Sequence, residues 1–393
     1  MNNQPHPTLS LDPLDIEATL RPVERATMLP PQAFVDPGVF QWEVETIFAG
    51  WICVGHASRV SEPGAYLMRE VGTDSVVVIG GEDGRPRAFL NVCRHRGARL
   101  IQDTEGSVRR RVRCPYHAWS YGFDGELKGS PHMDEVEDFD SSCWGLIPVR
   151  VATVGGLVLV DLSGEAPEVE PHVGELADHL ERYRVGSLRR AGQIDYRVEA
   201  NWKAIAENYS ECLHCPGVHP ELNQLSNYMS GEVMEGAGAW CGGSMTLRDG
   251  ASTMGREGGH AQRPAIEGLS GDELSSVLYF VLFPNALVSL HPDYAMLHTL
   301  WPRSVDSTDV VCEWFFEPST IAAEGFDPSD AIEFWDQVNR EDWHVCELTQ
   351  KGVRNRGYVA GRYSAEEIDV HAFDEMVAER YMEALGEREG VPA

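Results

Sequence analysis

The stretch "NVCRHRGARLIQDTEGSVRRRVRCPYHAWSYGFDGEL", Asn91 to Leu127, carries two short pairs, Cys93-Arg-His95 and Cys114-Pro-Tyr-His117. Each pair holds one thiol and one imidazole. Turn signals stand beside them: Gly97, Pro115 and Asp124-Gly125. Outward from this stretch the chain reads as short strands. "SVVVIGGEDGRPRAFLNV" places an Asp83-Gly84 turn between two β-rich runs, and "VRVATVGGLVLVDL" closes the region near Leu162. Residues 45–162 are therefore expected to form a small, mostly β domain with both pairs next to turns.

Mixed Cys/His ligation has two common meanings. Zinc-finger ligands usually come as Cys-x2–4-Cys followed by His-x3–5-His. Here each pair contributes one residue of each kind. A Rieske-type 2Fe-2S cluster needs that split, because two cysteines hold one iron and two histidines the other. Cys93, His95, Cys114 and His117 are thus the expected cluster ligands, with a structural zinc as the alternative. Replacing two thiolates by neutral imidazoles raises the reduction potential. Trp119 is suited to shield such a cluster from water.

The rest of the chain has a different texture. Residues 1–44 read as a Pro-rich arm followed by a helix, with Phe40, Val44, Ile47 and Phe48 on one face. Residues 163–393 are expected to form a second domain. "NWKAIAENYSECLHC" reads as a helix, with Trp202, Ile205, Tyr209 and Leu213 at helical spacing. β-runs near 240–247, 277–290, 294–301 and 309–317 suggest an antiparallel sheet. A long helix follows in "DPSDAIEFWDQVNREDWHVCELTQKGV", and a last one at about 365–386. Strands followed by helices give an α+β class. The Gly-rich segment "RDGASTMGREGGHAQRPAIEGLSGDE" reads as a lid or a surface insertion.

Composition excludes several functions. Asp plus Glu number 62 against 32 Lys plus Arg, a net charge of −30. Such a chain repels phosphate backbones, so no nucleic-acid partner is expected. The charge is compatible with a cationic substrate without showing one. No apolar run approaches a membrane span of about 20 residues, and the N-terminus does not read as a secretory signal. The nine scattered cysteines fit reduced thiols in a cytoplasm.

A second metal site is legible in "ENYSECLHCPGVH". His214 and His219 stand five residues apart, poor spacing for one helix face. Pro216-Gly217 is expected to break the helix and let His219 curl back. Two histidines and one carboxylate form the facial triad that selects non-haem Fe(II). Asp342, in "NREDWHVCE", is the preferred carboxylate, with Glu341 and Glu347 as competitors. Cys212-x2-Cys215 also fits a redox pair or half of a zinc site.

"CRH…CPYH", then "NWK…ENY.EC.HC…H", then the "ED" helix together resemble the α subunit of a Rieske non-haem iron oxygenase over nearly the whole chain. The resemblance implies a β-rich Rieske domain and a catalytic domain with a curved antiparallel sheet flanked by helices. It implies that Cys93, His95, Cys114 and His117 bind the cluster, and that His214, His219 and Asp342 bind one mononuclear Fe(2+). Glu211 and Asn208 become the catalytic candidates, Glu211 as the acidic residue bridging the two centres. Within the family, "ENYSECLHCPGVHPEL" is similar to the group containing choline monooxygenase and glycine-betaine demethylase.

The same resemblance implies partners. A separate ferredoxin-type reductase would draw electrons from NADH or NADPH, and a homotrimer would set the cluster of one subunit beside the mononuclear iron of the next. O2 and a small organic substrate would meet at that iron. Oxidation of an N-methyl group, leading to demethylation, is the expected reaction. Hydroxylation of an aromatic ring is the alternative, and an electron-transfer protein with an inactive second site is the alternative of another class. Phe283, Asn285, His291, Tyr294 and His298 are pocket candidates, with Trp240 and Tyr228 as faces for a cation. Arg109, Arg110, Arg111 and Arg113 are candidates for docking the reductase.

Overall fold

The computed structural model describes residues 9–389, so residues 1–8 of the expected arm lie outside the described residues. The chain forms two compact units. One spans Phe48–Val169. The other joins the residues up to Ile47 with those from Glu170 onward. The described residues 9–47 thus belong to the second unit.

In the first unit, strands Trp51–His56 and Leu157–Asp161 are buried at every position, as continuous apolar runs require. They pair antiparallel and lie in a seven-stranded sheet. Across that sheet follow Pro148–Val154, Pro86–Leu90, Asp74–Gly80, Ala65–Val71 and Glu105–Ser107. A three-stranded sheet of Val112–Arg113, Ser120–Tyr121 and Leu127–Gly129 carries the second Cys/His pair. Tyr66, Val77, Phe89, Leu100, Trp119 and Tyr121 belong to one buried cluster that joins the two sheets.

The second unit holds a curved, seven-stranded antiparallel sheet. Its order is Arg189–Val198, Ser307–Phe316, Ala295–Ser304, Ala286–Leu290, Ser276–Leu282, Trp240–Thr246 and Glu232–Val233. The long helix Ser329–Val353 packs against helix Trp202–Tyr209 and the edge strand Arg189–Val198. A second long helix, Ile368–Glu389, packs on Trp202–Tyr209 and on strand Trp240–Thr246. Among the described residues no helix is long and apolar enough to cross a membrane.

A buried charge ties the N-terminal segment to this unit. Asp36 caps helix Pro37–Thr46, accepting from the backbone N–H of Gly38 at 2.6 Å. That helix presents Glu43 to the interior. Glu43 accepts from Trp202 Nε1 at 2.9 Å, and from Lys203 Nζ and the Tyr381 hydroxyl. Glu43 and Lys203 are both fully buried. Burial pushes the Lys203 pKa down while Glu43 opposes it. Removing one partner would strand the other charge, at a cost of about 3–5 kcal/mol.

The segment 248–273 lies at the surface as irregular chain, and it is anchored at a few points. Met254 and Ile266 are buried. Arg263 pairs with Asp293 at 2.9 Å and with Asp330 at 2.6 Å. The doubly paired arginine ties this Gly-rich stretch to the turn before strand Ala295–Ser304 and to the first turn of helix Ser329–Val353.

Candidate metal centres and active-site cavity

The first pair sits on the loop after strand Pro86–Leu90. Gly97 turns the loop at φ +69°, donates to Cys93 O at 3.0 Å, and lets Cys93 N reach Ala98 O at 2.8 Å. The second pair lies between Val112–Arg113 and Ser120–Tyr121. There Ala118 adopts φ +61°, uncommon without glycine, and Cys114 N donates to Trp119 O at 2.8 Å.

These turns bring the four side chains together. Cys93 and Cys114 are buried free thiols. His95 stacks on Trp119 at 4.8 Å with rings 4° from parallel, and meets His117 edge-on at 4.8 Å. Nδ1 of His95 and of His117 are both buried without a hydrogen-bond partner. Tyr121 Oη stands 3.4 Å from Cys93 Sγ. Burial pushes the Cys114 thiol pKa up and, with His95 and Arg96, holds His117 down. Two dry thiols and two orphaned imidazole nitrogens are a donor set that a Rieske cluster would satisfy.

The second constellation forms where the helix is interrupted. Asn201 caps Trp202–Tyr209 by accepting from Lys203 N at 3.1 Å, and the helix ends at Ser210. It does not continue through Leu213, which is exposed. Glu211 turns back and accepts from the backbone N–H groups of Leu213 and His214. A single short helix, Cys215–Val218, then sets His214 at its start and His219 at its end. Pro216 therefore begins this turn instead of breaking the longer helix, a position where its missing N–H costs nothing. The imidazole centroids lie 5.1 Å apart.

Asp342, on the long helix, reaches both rings. Its Oδ1 is 2.6 Å from His219 Nε2 and 3.2 Å from His214 Nε2. One ligand atom from each of the three residues falls within 4.8 Å of the others. The outer nitrogens are held too: Glu211 Oε1 accepts from His214 Nδ1 at 2.5 Å, and Glu341 Oε2 from His219 Nδ1 at 2.7 Å. Burial disfavours charge on His214, but Asp342 and Glu211 outweigh it and push its pKa up to about 10. Burial and His214 likewise oppose charge on His219, and Asp342 and Glu341 overcome them. This concentration of negative potential is suited to a cation, which would displace those protons. Of the competitors, Glu341 occupies the far side of His219, and Glu347 accepts from Glu199 N at 3.3 Å.

A cavity of about 390 Å³ opens beside this triad. Asn208, Glu211 and Asp342 line it, as do Tyr209, Tyr279 and Trp335. Of the pocket candidates named from sequence, Tyr228 lines the cavity and Trp240 does not. Phe283, Asn285, His291, Tyr294 and His298 are buried in the sheet's packing and do not line it either. Alternation along a strand separates two faces without saying which one is hollow. The turn before the C-terminal helix supplies Glu366 and the helix's first turn supplies Asp369, both of which sequence reasoning missed. Their only signal is long-range packing.

Cys212 and Cys215 are joined in a disulfide, while the other seven cysteines are free. Composition points to reduced thiols, and this pair is the one whose spacing also fits a redox pair. The turn around His214 brings this pair's Cα atoms to 5.0 Å, within bridging reach.

The sequence matches the family described as "Rieske [2Fe-2S] domain" over residues 50–140, and "Ring hydroxylating alpha subunit (catalytic domain)" over residues 185–383. A glycine betaine monooxygenase oxygenase subunit of Pseudomonas aeruginosa is 30% identical over 416 residues, covering 97% of this chain and 96% of the relative. A carnitine monooxygenase oxygenase subunit of Escherichia coli is 31% identical, covering 85% of this chain and 86% of its own. The crystal structure of a quaternary ammonium Rieske monooxygenase with an inhibitor superposes with a TM-score of 0.80 at 26% identity, covering 95% of this chain and 99% of that one. By motifs, fold and relatives alike, the chain belongs to the Rieske non-haem iron oxygenases, as the oxygenase (α) subunit.

Proposed function

We propose that this oxygenase oxidises an N-methyl group of a quaternary ammonium compound. The observation that carries the reading is the cavity beside the triad, walled by Tyr209, Tyr228, Tyr279 and Trp335. Aromatic faces attract quaternary ammonium groups. The relatives named for glycine betaine and carnitine support the quaternary ammonium class. The overall step is R3N⁺–CH3 + O2 + 2e⁻ + 2H⁺ → R3N⁺–CH2OH + H2O. The carbinolamine then loses formaldehyde and a proton to leave the tertiary amine.

Cys93, His95, Cys114 and His117 would hold the 2Fe-2S cluster; His214, His219 and Asp342 would hold the mononuclear Fe(2+). When bound, these centres supply one-electron transfer and oxygen activation. The chain's own contribution is placement. Glu211 and Glu341 accept the Nδ1 protons of His214 and His219 and so leave both Nε2 lone pairs for a metal. Asn208 faces the cavity as a polar wall.

The electrons would come from NADH or NADPH through a separate reductase in the cytoplasm. A homotrimer would bring the cluster of one subunit to the mononuclear site of its neighbour, with Glu211 between His214 and the neighbouring cluster. Arg109, Arg110, Arg111 and Arg113 are all exposed next to the second cluster loop, a basic surface in a strongly acidic chain. They would steer an acidic reductase. Arg109→Glu is expected to slow cluster reduction several-fold at low ionic strength, with the difference vanishing in high salt. Equal rates in stopped flow at low salt would remove the steering role.

A substrate panel with a surrogate reductase tests the main reading. Methylated ammonium compounds should drive oxygen uptake with formaldehyde release. Hydroxylation of aromatic compounds, without formaldehyde from any methylated amine, would overturn it.

A further inference from the structure

Resting on that reading, we infer that the favoured substrate is a net cation without a carboxylate, and that Asp369 is the residue that selects it. The charge inventory of the cavity carries the inference. Its lining includes Glu211, Glu232, Asp342, Glu366 and Asp369, but no lysine or arginine. Glu211 and Asp342 are committed to His214 and His219. Glu232 and Glu366 are exposed. Asp369 is the acidic group left inside, half-buried on the wall.

Asp369 accepts one hydrogen bond, from the backbone N–H of Gly242 at 3.2 Å. Among the described residues it has no ion-pair partner. Burial pushes its pKa up to about 6, so it carries its charge at neutral pH while lacking a compensating cation. A cationic ligand supplies that compensation, and the aromatic walls reinforce it. A zwitterion brings the same ammonium group together with a carboxylate. That carboxylate would enter a space where the acidic groups outnumber the basic ones, with no lysine or arginine to receive it and with His214 and His219 already engaged by Glu211, Glu341 and Asp342. Glycine betaine and carnitine, which name the relatives described above, are zwitterions of this kind. The cavity therefore discriminates against the substrates those names suggest.

The test uses the holoenzyme with a surrogate reductase and compares kcat/KM by oxygen uptake and formaldehyde release. The substrates are choline, butyltrimethylammonium, glycine betaine and carnitine, with 3,3-dimethylbutan-1-ol as the uncharged isostere of choline. The two cations should exceed both zwitterions by about tenfold or more, and the isostere should be a poor competitor of choline. Asp369→Asn should lower kcat/KM for the cations about tenfold, mainly through KM, and leave the zwitterions unchanged or improved. Zwitterions favoured by the wild-type enzyme would overturn the inference while leaving N-methyl oxidation intact. Equal losses for both classes in Asp369→Asn would remove its selecting role. Absence of turnover with every methylated amine would overturn the inference and the underlying reading together. The wild-type comparison needs no variant, so it decides even if Asp369→Asn folds poorly.

Discussion

Asp342→Ala is expected to empty the mononuclear site and lower turnover by about a thousandfold or more, while the cluster's visible absorption persists. The expectation follows from position. Asp342 Oδ1 is the one carboxylate oxygen set between the two Nε2 atoms, at 2.6 and 3.2 Å. Glu341 lies on the same helix but meets His219 at Nδ1, on the opposite edge of the ring. It holds the imidazole and cannot replace Asp342 without turning that ring over. Glu347 is engaged with the backbone of Glu199. The cluster residues belong to the other compact unit, so their absorption reports independently of the triad. Iron analysis of the purified variant gives the result directly. Full mononuclear occupancy in Asp342→Ala would transfer the ligand role to another carboxylate.

Glu211→Gln is expected to keep both metal centres and lose about a hundredfold in turnover. Glutamine retains an acceptor for His214 Nδ1 but not the charge that pairs with it at 2.5 Å. In the proposed trimer the same carboxylate joins His214 to the cluster of the neighbour, so the loss should fall on electron transfer. Single turnover by pre-reduced enzyme separates the two possibilities. Slow electron transfer at full iron content supports a bridge. Reduced iron content with normal electron transfer would make Glu211 a structural cap, consistent with its bonds to the N–H groups of Leu213 and His214. Normal coupled oxygenation would eliminate both roles.

The parts of the fold legible in sequence are those encoded locally. Cys93 with His95, and Cys114 with His117, are each separated by only one or two residues, so a turn suffices to gather them. Strands with buried apolar runs, such as Ala295–Ser304, announce themselves by composition. Strand Arg189–Val198 does not. It sits on the sheet's edge, and in "RRAGQIDYRV" only Tyr196 and Val198 are buried. Apolar spacing suggested one helix through Leu213, yet the Glu211 carboxylate captures the backbone of the next turn and ends it. The misplaced pocket has the same origin. Asp369 lies 27 positions after Asp342, and only the packing of the C-terminal helix brings both to one cavity. Tertiary contacts of that kind leave no periodic trace.

Iron and acid-labile sulfide assayed on the purified protein, with an electron paramagnetic resonance spectrum after dithionite, most directly test the presence of two cooperating centres. About three irons and two sulfides per chain, with a rhombic signal from the reduced cluster, is the expected result. Zinc in place of iron, or only two irons per chain with no mononuclear site, would contradict it.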